Sequence, residues 1–246
     1  MFGLFSRKNR KLKMDYTLIG ADMHSHLLPG IDDGSPDLET SIALVRQFKE
    51  LGYTRLITTP HVLWDLYKNT PDTIRYRLDE LREALTANQV DIEMEAAAEY
   101  FLDDHVLDLL RKKERLLTLK DDLVLTEFST MYQSMSMKNI LFEMQMAGYR
   151  PVLAHPERYV YWHKKWDLFH EIKENGVLFQ LNLLSVTGGY GSRVEEIAQY
   201  LLEHDFYSFA GTDLHHEGHM ARLQTLEIPE KLQELLTSGA LLNRSL

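Results

Sequence analysis

Short apolar runs alternate along the chain with longer stretches whose apolar residues recur every three or four positions. The short runs predict strands over 16–23, 55–59, 92–97, 123–128, 151–154, 177–183 and 207–210, since apolar runs of this length between turn residues suit buried strands. The longer stretches predict helices. Ser35 supplies a cap, Pro36 the first position, Asp37 and Glu39 an acidic first turn, and Gly52 the end, as helix termini prefer. Ile42, Val45 and Phe48, with Leu38, Leu44 and Leu51 beside them, hold the helical period. Thr70 and Pro71 open a second helix with Ile74, Leu78, Leu81 and Leu85 on one face. Ser192 and Glu195 form a capping box ahead of Ile197 and Leu201. Further helical patterns cover 103–115, 134–147, 166–175 and 229–237. Seven strand–helix units without hairpin signals predict a parallel, barrel-like α/β fold. A doubly wound open sheet is the alternative, because periodicity does not decide closure.

The strand ends carry the chemistry. The first ends in Asp22, His24 and His26, the second in His61, the third in Glu99, the fourth in Glu127, the fifth in His155, and the seventh in Asp213 followed by His215. In a parallel barrel these ends converge on one face, where active sites are built. His24 and His26 point to the same side of an extended segment, and Asp213 and His215 repeat that spacing. Imidazole and carboxylate without sulfur suit zinc, manganese or iron. Without Asp22 and with Asp33 the candidate donors number nine, which is too many for one ion and fits two or three ions bridged by a carboxylate. The charge of three divalent ions exceeds that of Asp33, Glu99, Glu127 and Asp213 together. Such a pocket suits a phosphate ester.

Composition narrows this further. The chain has 246 residues, 44% hydrophobic and 26% charged, enough for one large domain or two small ones. It contains no cysteine, which excludes disulfides, cysteine metal sites and thiolate nucleophiles. A formal net charge of -10 argues against nucleic acid as a partner. No apolar run reaches membrane-spanning length, and the basic start lacks the features of a secretory signal. Arg7, Lys8, Arg10, Lys11 and Lys13 follow Met1, Phe2, Leu4 and Phe5. This segment reads as a solvated tail or as a weak dock onto an anionic membrane surface, and both suit a cytoplasmic protein. Met131, Met135, Met137, Met144 and Met146 read as core filler and helix faces. The Gly188–Gly191 stretch, which lacks a Walker lysine, reads as a turn or rim loop.

The ordered set of HxH, T-P-H, H-P-E-R and DxH resembles the PHP superfamily (polymerase and histidinol phosphatase). More narrowly, DMHSHLLPGIDDG, ITTPH, AHPERY and TDLHH resemble the bacterial tyrosine-protein phosphatases of capsular and exopolysaccharide operons. The resemblance covers the chain from about Asp22 onward. It implies a single-domain, distorted seven-stranded (β/α) barrel over residues 21–246, with residues 1–20 a basic tail leading into the first strand. It also implies three divalent ions, manganese first, with zinc or iron as alternatives.

Carried over by motif, His24, His26, Glu99 and Asp213 hold the first ion. Glu99, Glu127 and His155 hold the second, and Asp33, His61 and His215 the third. Asp33 is preferred to Asp32, and Glu99 to Glu93 or Glu95. Arg158 resembles the family's phosphate-binding arginine, Arg222 is a second candidate for binding substrate, and His216 or Arg222 a candidate acid. Tyr159, Tyr161 and Trp162 either line a phenyl pocket or pack helices. The implied reaction is metal-assisted hydrolysis of phosphotyrosine on the tail of a membrane tyrosine autokinase, at the inner face of the membrane. A small-molecule phosphomonoesterase of the histidinol-phosphatase type is the alternative.

Overall fold

Helices and strands alternate as the hydrophobic pattern requires in the computed structural model, which describes residues 11–246. The first half contains β1 (Lys11–Lys13), β2 (Ala21–Asp22), α1 (Leu38–Leu51), β3 (Arg55–Thr58), β4 (His61–Val62), α2 (Pro71–Ala87), β5 (Glu93–Ala96), β6 (Glu99–Phe101), α3 (Asp104–Arg111) and β7 (Leu123–Glu127). The second half contains α4 (Met137–Met146), β8 (Arg150–Ala154), α5 (Trp166–Glu174), β9 (Leu178–Asn182), α6 (Ser192–Glu203), β10 (Tyr207–Gly211), α7 (Glu217–Gln224), β11 (Glu227–Pro229) and α8 (Glu230–Ser238). Arg7, Lys8 and Arg10 of the expected tail lie outside the described residues. Lys11–Lys13 are not tail but strand, paired antiparallel with β11.

Several helix termini differ from expectation for local reasons. Asp37, not Ser35, caps α1, its carboxylate accepting from Thr40 N at 2.8 Å. Ser35 is buried and accepts instead from the Ser41 hydroxyl. Gly52 ends α1 in the left-handed region, and Thr70 caps α2 with Thr73 as its reciprocal partner. The capping box at Ser192 does not form, because Gly191 occupies the cap position and no side chain caps the helix. The expected first strand is mostly a 3-10 turn, Tyr16–Leu18, since Asp15 captures the Thr17 N–H and hydroxyl and so offers the backbone a local alternative to a ladder. Only Ala21–Asp22 remains extended.

The parallel strands form two sheets, one ordered β10-β9-β8-β7-β6-β4 and the other β2-β3-β5. The expected seven-stranded barrel is therefore not present as one continuous ladder. The second and third expected strands, 55–59 and 92–97, are β3 and β5, and after short breaks at Thr59–Pro60 and Ala97–Ala98 each is followed by a further strand, β4 or β6, in the other sheet. The proline has no N–H to give to a ladder. Across these breaks Thr59 N donates to Ser25 O, and Glu99 N to Pro60 O.

Between β10 and β2 side-chain bonds and one isolated parallel bridge, Ser25 with Leu214, join the edges in place of a continuous ladder. Buried Asn243 accepts from Ala210 N and donates to the carbonyls of Ala210 and Ala21. Asp22 accepts from the N–H and hydroxyl of Thr212. Asp213 N donates to His24 O, and His26 N to Leu214 O. Inside the strands lies a core of Met23, Ile57, Leu125, Val152 and Phe209, while a larger apolar layer packs strands against helices. Among the described residues no helix is long and apolar enough to cross a membrane.

Candidate active site

All nine expected donors gather beyond the carboxyl ends of the strands. His24, His26, Glu99 and Asp213 are buried and each present a donor atom within 4.8 Å of the others. His24 Nε2 stands 3.2 Å from Glu99 Oε2 and 3.3 Å from Asp213 Oδ1. His26, Asp33, His61 and His215 form a second group, and His61, Glu99 and Glu127 a third. His61 Nδ1 lies 3.2 Å from Glu99 and 3.0 Å from Glu127. His155 stands outside these three groups, with Nε2 at 3.2 Å from Glu99 Oε1. The groups share Glu99, His26 and His61, so the donors form one continuous cluster.

Local backbone aims them. Met23 points into the core while His24 and His26, two residues apart, turn to the cluster, as extended alternation requires. His155 and Asp213 both adopt positive φ, 36° and 50°. Non-glycine residues hold such angles only where surroundings enforce them. Gly34 allows a close approach, because a Cβ there would lie 2.2 Å from the His26 carbonyl oxygen.

Residues outside the expected set orient these donors. Asp32 Oδ2 sits 2.8 Å from His26 Nδ1 and accepts from His61 N. Gln180 Oε1 lies 2.9 Å from His24 Nδ1, and Asn182 donates to Asp213 Oδ2 at 2.9 Å. A partner on the second ring nitrogen fixes a histidine's tautomer and aim. The signal for this pair was available, since Gln180 and Asn182 sit two apart on the one strand without an ionisable end.

Charge balance in the cluster follows from these contacts. Burial opposes ionisation of Asp213, yet His24, His215, His26 and Arg158 hold its carboxyl well below the usual range. Burial likewise opposes ionisation of Glu99, and His24, His61 and His155 hold it well below. Burial also raises Asp32, but His26, His61 and the Gly34 N–H bring it to about 2.

The donor set fits divalent cations. Glu99 Oε2, His61 Nδ1 and His155 Nδ1 are buried without a hydrogen-bond partner. Leaving such an atom unsatisfied costs about 1–3 kcal/mol. The set is entirely nitrogen and oxygen, as zinc, manganese and iron accept.

Above the cluster opens a cavity of about 600 Å³. Arg158 lines it, donating from Nη1 to Asp213 Oδ2 at 2.6 Å, with its guanidinium 4.8 Å from the Tyr190 ring centre. Arg222 does not line it. Its guanidinium lies 5.8 Å from the same ring and so close to Gly189 that a Cβ there would fall 1.5 Å from Nη2. His216 and His219 are on the cavity wall.

Of the two readings for Tyr159, Tyr161 and Trp162, packing holds, and none of the three lines the cavity. Tyr159 and Trp162 are buried in the core, and Tyr159 donates to Ala154 O and accepts from Phe128 N. Tyr161 ties down the following loop by donating to Ser129 O. Tyr67, Phe101, Phe128 and Tyr190 line the cavity instead. The Gly188–Gly191 stretch is the rim loop that carries Tyr190.

A family described as capsular polysaccharide synthesis, CpsB/CapC, matches residues 20–228. The tyrosine-protein phosphatase YwqE of Bacillus subtilis (strain 168) is 30% identical over 195 residues, covering 79% of this chain and 76% of that protein. The tyrosine-protein phosphatase CpsB of Streptococcus pneumoniae is 28% identical over 200 residues, covering 79% and 82%. A crystal structure from work on YwqE and CpsB, described there as unique metal-dependent tyrosine phosphatases, matches with a TM-score of 0.75 at 28% identity, covering 89% of this chain and 92% of that one. A lactonase from Listeria monocytogenes, at 11% identity and a TM-score of 0.51, shares the fold alone. With the family match spanning most of its length, the chain belongs to the CpsB/CapC family of capsular polysaccharide synthesis.

Proposed function

We propose that this chain is a metal-dependent protein-tyrosine phosphatase whose substrate is the phosphotyrosine tail of a membrane tyrosine autokinase in capsular or exopolysaccharide synthesis. The observation that carries this reading is the buried quartet His24, His26, Glu99 and Asp213 beneath a cavity whose wall holds Arg158. Three divalent ions, manganese first, would be held by three sets: His24, His26, Glu99 and Asp213; Glu99, Glu127 and His155; and Asp33, His61 and His215. When bound, such ions supply Lewis-acid neutralisation of phosphoryl oxygens and activation of water.

The chain's own residues do the rest. Asp32 and Gln180 hold the imidazoles of His26 and His24 in register. Arg158 keeps one Nη on Asp213 and offers its remaining N–H groups to phosphoryl oxygens, a task suited to a planar fork. Tyr190 packs against that guanidinium and, with Phe101 and Phe128, walls the space for a phenyl ring. Water adds to phosphorus as the bond to the phenolic oxygen breaks, and that oxygen takes up a proton. A phenol of pKa near 10 leaves far more readily than an alkoxide, so the site needs less general-acid help, and direct attack by water needs no covalent phosphoenzyme. The catalytic unit runs from β1 onward, because β1 pairs with β11 and Tyr16 packs in the main core. The enzyme works in the cytoplasm at the inner face of the membrane, where residues 1–10 give a basic contact with anionic lipid.

The test is metal analysis together with turnover of a phosphotyrosyl peptide, a phosphoseryl peptide and histidinol phosphate. Manganese-dependent turnover with the phosphotyrosyl peptide fastest is expected. Faster turnover of histidinol phosphate would place the chain among small-molecule phosphomonoesterases.

A further inference from the structure

The cavity changes character from its ionisable floor to its mouth. Leu66 on the β4–α2 loop is 70% exposed and Met131 on the β7–α4 loop is 85% exposed, yet both line the cavity. Just beyond Met131, Tyr132 and Met135 are exposed as well. Met131 and Met135 are therefore neither core filler nor on a helix face, which corrects the sequence reading. Residues 128–137 carry no charge, in a chain with 26% charged residues. Apolar side chains gathered at an opening, outside the core, mark a contact surface.

This rim is held in place. Phe128 N donates to the buried Tyr159 hydroxyl, and Ser129 O accepts from Tyr161. Asp65 stands beside Leu66, and Lys165, from outside the segment, reaches Gln133 of the rim at 3.3 Å.

We propose that this rim docks the polypeptide flanking the phosphotyrosine and selects substrates whose neighbouring residues are uncharged and apolar or aromatic. The inference rests on the phosphotyrosine reading above and adds the substrate class. Continuity with the cavity identifies the occupant. Leu66 and Met131 line the cavity while remaining exposed, so a peptide whose phosphotyrosine enters the cavity has these side chains beside it. Methionine supplies a flexible, polarizable surface that fits varied apolar partners, and residues 128–137 offer no cationic side chain of their own to an acidic flank.

The experiment compares the manganese-loaded full chain with its Tyr132→Ser/Met135→Ser double variant. Substrates are free phosphotyrosine and two phosphotyrosyl peptides of equal length, one with Leu and Tyr flanks and one with Asp and Glu flanks. The wild type should favour the apolar peptide by about tenfold in kcat/KM, chiefly through KM, the scale of roughly one buried apolar side chain. The double variant should lose that preference and turn over free phosphotyrosine at the wild-type rate. Equal kcat/KM for the two peptides in the wild type, or an undiminished preference in the variant, overturns the docking surface alone. Absence of turnover on all three substrates overturns the phosphatase reading itself. Sedimentation and vesicle binding complete the test. A change of mass in the variant assigns the rim to a second copy, a loss of vesicle binding assigns it to a membrane, and either result overturns the proposal.

Discussion

Glu99 and Glu157 are both fully buried carboxylates close to strand ends, and their surroundings drive them in opposite directions. Burial raises Glu157, whose direct partners are neutral donors: Asn182 N on Oε1 at 2.9 Å and the Tyr207 hydroxyl on Oε2 at 3.0 Å. Burial acts on Glu99 in the same sense, but three imidazoles overcome it. Asp22 and Asp213 repeat the contrast. Burial lifts Asp22 to about 7 against hydrogen bonds from Thr212, while His24, His215 and Arg158 hold Asp213 well below the ordinary range. Burial alone therefore does not single out a chemical carboxylate. Facing nitrogens do, because only they compensate a full charge in a dry site. Glu157 belongs to the H-P-E-R motif, yet its contacts make it a tie between β9 and β10.

The sharpest way to break the comparison is Glu99→Gln. Loss of the shared charge should abolish metal-dependent turnover, by more than about a hundredfold since even outer partners of metal ligands cost 10–100-fold. Circular dichroism should stay native and bound metal should fall. Activity near that of the wild type in manganese-replete buffer would remove Glu99 from the ligand set. Next in size is Arg158→Ala, which should keep its metal and lose roughly 1.5–3 kcal/mol of phosphate-directed hydrogen bonding, about ten- to a hundredfold in kcat/KM. Arg158→Lys should recover part of this, and phosphate inhibition should weaken in parallel. An unchanged phosphate inhibition constant with a lower melting temperature would make Arg158 only a tether for Asp213.

On the other side of the comparison, Glu157→Ala leaves two buried donors unsatisfied. It should cost about 2–6 kcal/mol of stability at about 1–3 kcal/mol for one such group, with metal content retained, whereas Glu157→Gln should be much milder because an amide can still accept from Asn182. Urea unfolding of both variants checks this, and equal destabilisation would mean that the charge of Glu157 matters after all. The smallest effect expected is that of Tyr207→Phe, about 1 kcal/mol, with kcat unchanged. A large loss of kcat would place the Glu157 pair in the chemistry.

Much of the site was legible because its donors sit where periodicity breaks. His24, His61, Glu127, His155 and Asp213 each follow an apolar run, and a strand's direction carries its last residues to a common face. Asp32 and Asp33 were harder to separate. They are adjacent, and the turn at Gly34 sends Asp32 back to His26 while Asp33 stays exposed toward His61. Arg222 was legible only as a nearby cation. Its placement beside Gly189, outside the cavity, depends on α7, a helix the hydrophobic pattern did not signal.

The sequence by itself determined the helix faces, the α/β alternation, the nitrogen-and-oxygen donor set and the absence of a thiol nucleophile, because each depends on residue type and spacing along one segment. The tertiary structure alone decided three other matters. It set the seam of Asn243 and Asp22 where a closed ladder was expected, moved Tyr159 and Trp162 into the core and left Met131 at the mouth, and sorted the buried carboxylates into ties and charges. Each of these depends on what a side chain meets across more than twenty residues of sequence, and no local period encodes that meeting.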